Sequence, residues 1–539
     1  MSRKVHNLRP FYINGKQPRG LRPYLSRVEK GFDEDIRTPF AGGKDIPVPK
    51  ILDEWMDKLE SIKASWPGLW EYENDLAKKV GPMSIMKPLK DRLVDVESYY
   101  ESVPSDSAPL ENSSVTRTLD ELAKLRMNGL FLRTPDRTVQ EMRLSTSSGC
   151  PEFTKRRNIS DETLKIVKDF WVRAYRGAGF TSNIDKFLLK SAAIIGWRGQ
   201  EGGPDTDDTK QRVVWMFPFG VNIAELQSYQ SVVAAAKACK FVPAWVSQDE
   251  VDYRMTELFD TKDDSDPIIC TDFTKFDQHF NQNCSDVSRQ VLSKLFMKDD
   301  KMELWLNQIF PIKYEIPIIL KERLAYAGDH GMASGSGGTN ADETLCHRTL
   351  QHEAAMLAGV ELNQNSQCLG DDGVLSYKGA DVDHVVKCYT SHGLDMNPDK
   401  QEVSATEATY LRRWYNVKYR PDGYTRGVYS TCRALGRLCR QERFYDPDDW
   451  GEKMVVLRYL SIIENVKWHP LRDQFADFCI ERDFKTRLGL NIPGFLDRIE
   501  YEARKANDKI KDFMGYNRSV QGDSGISNWW IVQYLKSKR

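Results

Sequence analysis

The sequence predicts an α+β protein built from several interleaved subdomains, and three observations carry that prediction. Short apolar runs at 267–273 and at 366–369 with 374–377 read as buried strands, while helical patterns near 278–296 and 340–357 alternate with them. At 539 residues the chain is longer than one core normally serves. No repeat of roughly 20 to 50 residues and no long low-complexity linker divides it, so the subdomains are woven together rather than strung out.

Taken in order, the first 70 residues are rich in Pro and Arg and weak in periodicity, as expected of an arm that wraps the surface or bridges two lobes. Residues 1–30 carry eight Lys or Arg against one Glu. From Leu76 to about residue 260 helical patterns alternate with loops, including the turn-rich 198–208, a hairpin tip whose far side delivers Lys210 and Arg212. The strand 267–273 follows and ends in Asp272. An excursion spans about 300–330, and then the Gly-rich 334–340 opens a helix that runs to Leu357. After about 416 the chain is helical with an apolar and aromatic admixture. Arg433, Arg437 and Arg440 recur there at helical spacing, which predicts one basic helix face.

Composition excludes several classes. Net charge is -1, so any surface for a polyanion has to be local, and 408–443 carries nine Lys or Arg against two acids. The ten Cys form no Cys-x-x-Cys pair and the eight His no His-x-x-x-His pair, which predicts reduced core cysteines in a cytosolic protein and no zinc site. No apolar run reaches the ~18 residues of a membrane span, and the N-terminus has no signal-peptide core. A Gly-x-x-x-x-Gly-Lys-Ser/Thr loop is missing, so no helicase motor is indicated.

The chemistry is concentrated in Gly370-Asp371-Asp372, set in the apolar run 368–375. Adjacent carboxylates on a tight hairpin repel unless a cation sits between them. Asp272, 99 residues before Asp371, supplies a third carboxylate at a strand end. Three convergent Asp suit two Mg²⁺ ions, hard cations that share carboxylates and substrate phosphates in in-line phosphoryl displacement.

With the Gly-rich loop between the two Asp clusters, the chain from about 190 to 443 resembles a viral RNA-dependent RNA polymerase, most closely the picobirnavirus enzymes of the double-stranded RNA viruses. The resemblance implies a right-hand architecture: an antiparallel-sheet palm at 267–299 and 331–415, mostly helical fingers at 71–266 and 300–330, and a thumb at 416–539, with 1–70 bridging the lobes. It also implies roles. Asp272 and Asp277 match motif A, Ser334, Gly335 and Thr339 match motif B, and Gly370-Asp371-Asp372 matches motif C. Lys400 sits where motif D has its lysine, a candidate proton donor to pyrophosphate, and 410–414 looks like the motif E hairpin. Lys190, Lys210 and Arg212 match the basic motif F that clamps a triphosphate. Asp272, Asp371 and Asp372 would ligate two Mg²⁺, with Mn²⁺ able to substitute, and Arg433, Arg437 and Arg440 would touch duplex phosphates.

The pattern departs from the family at one place. The motif B Asn four residues past the Thr is Glu343, and an Asn stands at 340 instead. An ionised Glu beside Asp277 only accepts, so Asn340 is expected to partner Asp277 in reading the ribose 2′-hydroxyl. The implied partners are template and product RNA, nucleoside triphosphates and a capsid protein, in the virion interior and host cytoplasm. A reverse transcriptase is the nearest alternative, but it usually carries an aromatic ring where Asp277 stands. A non-enzymatic virion RNA-binding protein, its Asp clusters mere turns, is the other alternative. The stretch 515–534, with Trp529 and Trp530, is a candidate platform for an initiating nucleotide, against the plainer reading of a tail docked on the thumb.

Overall fold

The computed structural model describes residues 8–12, 20–175, 192–443, 445, 447–509 and 525–539. In chain order its strands are β1 (Arg9–Tyr12), β2 (Ala193–Gln200), β3 (Lys210–Met216), β4 (Ile268–Thr271), β5 (Ile318–Lys321), β6 (Leu324–Ala327), β7 (Gln367–Leu369), β8 (Asp372–Leu375), β9 (Glu402–Ser404), β10 (Glu407–Tyr410), β11 (Arg413–Asn416) and β12 (Val428–Tyr429). They form three sheets, ordered β1-β6-β5-β2-β3, β7-β8-β4-β9 and β10-β11-β12.

The central sheet β7-β8-β4-β9 is antiparallel throughout. Alternation along β4 explains its place between two layers, because successive side chains of a strand point to opposite faces. Ile269 joins the large core that contains Leu345, Cys346 and Leu350 of the Thr339–Leu357 helix, together with Val287 and Val291 of the Gln282–Leu295 helix. Ile268 and Cys270 point the other way, into a smaller core with Val251, Met255 and Leu258 of the Gln248–Thr261 helix. That helix therefore lies against the central sheet, inside the segment 71–266.

The excursion 300–330 ends in strands. β5 pairs in parallel with β2 and antiparallel with β6, and β6 carries β1 on its edge. A second core gathers around Leu435, Leu457, Leu460 and Phe475.

The N-terminal segment is more ordered than its weak periodicity suggests. It forms helices at Leu21–Lys30, Val48–Leu59 and Pro67–Ala77. Leu21, Leu25 and Val28 lie in the large core, Trp55, Leu59, Leu69 and Val80 in the second core, and Met86 and Leu89 in the large core again. The chain thus crosses from one core to the other and back. Glu73 fixes the crossing, accepting from the backbone N–H of Thr431 at 2.7 Å and of Cys432 at 3.2 Å at the start of the Thr431–Cys439 helix. A carboxylate satisfies the free donors of a helix N-terminus and opposes its dipole.

Candidate active site

Asp272 is the first residue after β4, and Gly370-Asp371 form the two-residue turn joining β7 to β8, where Leu369 pairs Asp372. Gly370 has φ +59°, the left-handed conformation that a tight hairpin places at its first turn residue and that glycine adopts without strain. The turn is held from beneath by one stripe of the Thr339–Leu357 helix. Thr344 Oγ1 accepts from Gly370 N–H at 2.9 Å, and His347 Nδ1 lies 2.8 Å from Gly370 O. Burial lowers the His347 pKa to about 4, so the ring is neutral and donates from Nδ1. A Cβ on Gly373 would stand 2.5 Å from the His347 ring, so glycine is required there too.

Asp272, Asp371 and Asp372 line one cavity of about 320 Å³. Its remaining charged lining is almost all cationic: Lys79, Lys210, Arg212, Arg412, Arg433 and Arg437, with Glu201 the one other acid. The carboxylates feel one another strongly. Burial and then Asp371 push Asp372 up to about 7, and the same two causes, in the same order, raise Asp272. Carboxylates crowded in this way favour a bound cation. Hard oxygen donors facing a cation-rich wall fit Mg²⁺ shared with substrate phosphates. The three carboxylates surround the cavity without closing within 4.8 Å of one another; among the described residues only Glu353, Cys388 and His392 do so. His392 Nε2 lies 2.7 Å from Glu353 and Nδ1 lies 2.8 Å from Ala108 O, which accounts for that trio as a buried ion pair.

Lys400 stands beside Asp272, whose pKa its charge lowers. The neighbouring Gln401 clips the Asp272 backbone, accepting from its N–H at 2.8 Å and donating to its O at 3.0 Å. Lys210 and Arg212 come from β3, and the Lys210 pKa is lowered by burial, then by Lys79 and Arg212. Lys190 lies outside the described residues. Lys79 was missed in sequence because it sits 193 residues before Asp272; only the N-terminal crossing brings it here.

Ser334, Gly335 and Thr339 build the loop. Ser334 Oγ donates to Val213 O at 3.2 Å, Thr339 Oγ1 to Ala333 O at 3.3 Å, and a Cβ on Gly335 would meet Trp215 O at 1.5 Å. Glu225 of the Phe219–Ala238 helix grips the loop, accepting from Ser336 Oγ at 2.6 Å and Gly337 N–H at 2.9 Å. Behind it Asp342 accepts from Tyr229, Tyr314 and the fully buried Lys313, at 2.7, 2.9 and 3.2 Å. On its far side the loop borders a second cavity, of about 1220 Å³, lined by Arg133, Arg143, Lys155, Arg156, Arg157 and Lys237.

Two expectations meet a different arrangement. First, the side chain set against Asp277 is that of Glu343. Glu343 is 5% exposed and its carboxyl hydrogen-bonds Asp277. Burial, with Asp277 and Asp371 adding to it, raises the Glu343 pKa well above the ordinary range, so Glu343 is protonated and donates. Asn340 instead accepts from Trp245 Nε1 at 2.8 Å. Residues 340, 343, 344 and 347 lie on one helical stripe facing the Asp-Asp turn, a spacing signal present in the sequence. Second, the Thr431–Cys439 helix ends before Arg440, whose backbone is extended and whose guanidinium pairs with Asp35 at 2.9 Å. Arg433 and Arg437 face the cavity and Arg440 does not. Of the stretch 515–534, residues 515–524 lie outside the described residues; Trp529 packs in the second core and Trp530 lies against Arg472, as the plainer reading of a docked tail expects.

A sequence model of the viral RNA-dependent RNA polymerase family matches residues 205–431. A potential RNA-dependent RNA polymerase of Human picobirnavirus (strain Human/Thailand/Hy005102/-) is 52% identical over 540 aligned residues, covering 98% of each chain. The chain belongs to the viral RNA-dependent RNA polymerases, among the picobirnavirus enzymes. The crystal structure of a human picobirnavirus RNA-dependent RNA polymerase superposes with a TM-score of 0.86 at 49% identity, covering 98% of each chain. Its insertion-loop deletion mutant superposes at 0.84 and 48% identity, again over 98% of each. The right-hand polymerase fold and nucleotidyltransferase activity follow, and the reverse-transcriptase and non-enzymatic readings fall. No described helix of the polymerase is long and apolar enough to cross a membrane.

Proposed function

We propose that this polymerase replicates and transcribes a viral RNA genome by divalent-metal-dependent nucleotidyl transfer from nucleoside triphosphates at Asp272, Asp371 and Asp372. One observation carries the reading: three mutually repelling carboxylates face a wall of cations in one cavity. Two Mg²⁺ ions, or Mn²⁺ in their place, would lower the pKa of the primer 3′-hydroxyl and neutralise the leaving group. Asp272 and Asp371 would hold the ion that faces the primer 3′-hydroxyl, and Asp372 would help hold the one that stays with the triphosphate.

Arg212, Lys210, Lys190 and Lys79 clamp the triphosphate, with bonds that strengthen as charge builds in the transition state. Lys400 protonates the departing pyrophosphate. Asp277, held by Glu343, accepts from the ribose 2′-hydroxyl, with Asn340 at the rim of the same subsite. Ser334, Gly335 and Thr339 shape the loop between nucleotide and template, and the basic cavity beyond it carries the template strand by its phosphates. Arg433 and Arg437 contact product-strand phosphates. The site of action is the virion interior and host cytoplasm, with a capsid protein as further partner.

The test is nucleotide incorporation on unprimed single-stranded RNA, with double-stranded RNA run beside it, in Mg²⁺, in Mn²⁺ and with chelator. Template-length product that disappears with chelator is expected. Synthesis insensitive to chelator refutes the metal assignment.

A further inference from the structure

The Gly-rich loop rests on one face of the Phe219–Ala238 helix. Asn222, Glu225, Leu226 and Tyr229 stand at positions i, i+3, i+4 and i+7 of that helix, so they share a face. Glu225 accepts from Ser336 Oγ and the Gly337 N–H, and the glycines close down on the two residues beside it. A Cβ on Gly337 would stand 2.8 Å from Leu226 Cγ, and one on Gly338 would run into the Tyr229 ring. Asn222 adds a third donor, its Nδ2 lying 3.2 Å from Glu225 Oε2 and 3.4 Å from Gly335 O. Glu225 is fully buried and Asn222 is 2% exposed. Burial raises the Glu225 pKa, while the Lys313 charge and then the three donors, Ser336, Gly337 and Asn222, pull against it.

The start of this face is tied to the wall of the basic cavity. Arg156 Nη2 donates to Asn222 Oδ1 at 2.7 Å, Nε to Ser147 O at 3.3 Å and Nη1 to Arg143 O at 3.5 Å, and the guanidinium lies 5.3 Å from the Phe219 ring. Each nitrogen of that guanidinium thus already donates to the protein. Arg143 and Ser147 belong to a segment that folds back on itself, with Ser147 paired to Lys155 and the Arg157 N–H donating to Leu144 O at 3.0 Å. Lys155 and Arg157, on either side of Arg156, are exposed, whereas Arg156 is half-buried. The Asn222 amide is oriented from both ends, accepting from the guanidinium and donating to the carboxylate, so one directional chain of hydrogen bonds runs from the cavity wall to the loop.

We propose that Arg156, Asn222 and Glu225 are positioning residues that set the Gly-rich loop against the template-side wall, and that Arg156 serves this tie and not a template phosphate. The inference rests on nucleotide addition in the neighbouring cavity, which chelator-sensitive extension of a primed RNA by the unaltered enzyme checks separately.

The experiment compares the full-length enzyme with Glu225→Gln and Arg156→Gln in single-nucleotide extension of a primed RNA at varied nucleotide. RNA binding is followed by fluorescence anisotropy across a salt series, with Lys155→Gln as the reference for loss of one exposed cation. Glu225→Gln turns one acceptor into a donor facing the donors of the loop, so KM for the nucleotide is expected to rise several-fold. Arg156→Gln is expected to raise KM likewise and to leave the salt dependence of RNA binding unchanged. The double variant is expected to do no more than the larger single change, because both breaks fall on one chain. A KM within twofold of the unaltered enzyme for either single variant overturns the proposal, as does an Arg156→Gln salt slope flattened as far as that of Lys155→Gln. Loss of folded enzyme lowers the apparent kcat and leaves KM, so a merely structural role gives that pattern and also overturns it. Should Glu225→Gln fail to fold, Asn222→Ala breaks the chain at its middle and carries the same expectation, and an unchanged KM refutes it.

Discussion

Replacing Glu343 tests how this polymerase tells ribose from deoxyribose. Glu343→Ala removes the buried proton donor to Asp277 and leaves that carboxylate facing Asp371 without its neutral neighbour. Loss of one partner of a buried hydrogen bond costs about 1–3 kcal/mol. Where the free oxygen of Asp277 reads the 2′-hydroxyl, that cost falls on the ribonucleotide alone, and the ratio of kcat/KM for ATP over dATP drops about 5- to 150-fold. Glu343→Gln keeps a donor of the same length and should hold the ratio within about threefold. Asn340→Ala should do likewise, because the Asn340 oxygen is engaged by Trp245. Any general loosening of the loop changes both nucleotides together and cancels in the ratio. The assay is single-nucleotide extension of a primed RNA at varied ATP and dATP. If Asn340→Ala erodes the ratio and Glu343→Ala leaves it intact, the pairing argued from burial is wrong.

Asp371→Ala should abolish extension with RNA affinity nearly unchanged; retention of more than about a tenth of the activity, a loss below ~1.4 kcal/mol, refutes the ligand assignment. Because the Asp372 pKa lies at about 7 and Asp272 is also raised, protons compete with cations below neutrality. The apparent Mg²⁺ requirement of extension should rise as pH falls from about 8 to 6, and a flat requirement contradicts the shared-acid picture. Lys313→Met leaves Asp342 buried without its cation, and urea denaturation should show a loss of about 3–5 kcal/mol; a loss below about 1 kcal/mol refutes the network. Arg440→Gln should leave the salt dependence of RNA binding unchanged, since its guanidinium serves Asp35; a flatter slope returns Arg440 to the RNA surface.

The features legible in the sequence were those that local chemistry fixes. Asp272 ends an apolar strand and Gly370-Asp371-Asp372 turn a hairpin between apolar runs, a weak signal alone that the Gly-rich loop and the family resemblance turned into an expected convergence. Burial was not legible. Glu343 reads as a charge in sequence, and only its enclosure beside Asp277 turns it into a neutral donor that occupies the place of an amide. Arg440 was misassigned because helical spacing does not show where a helix stops, and here the turn ends one residue early. Lys79 and Glu73 carry no local signal; they matter because the N-terminal segment crosses between the two cores.

The stripe formed by Asn340, Glu343, Thr344 and His347 joins the Gly-rich loop to the acidic turn. Thr344 and the neutral His347 satisfy both backbone groups of Gly370, so the turn cannot rotate without breaking two buried hydrogen bonds. The same helix begins at the loop gripped by Glu225 and is anchored at its first turn by Asp342 to Lys313, Tyr229 and Tyr314. One helix therefore ties the Gly-rich loop to the turn that carries Asp371 and Asp372. Because His347 titrates only near pH 4, this coupling does not depend on protonation across the working range, whereas the carboxylates it positions do. The hydrogen bonds under the acids thus hold one protonation state while Asp372, pushed up to about 7, does not.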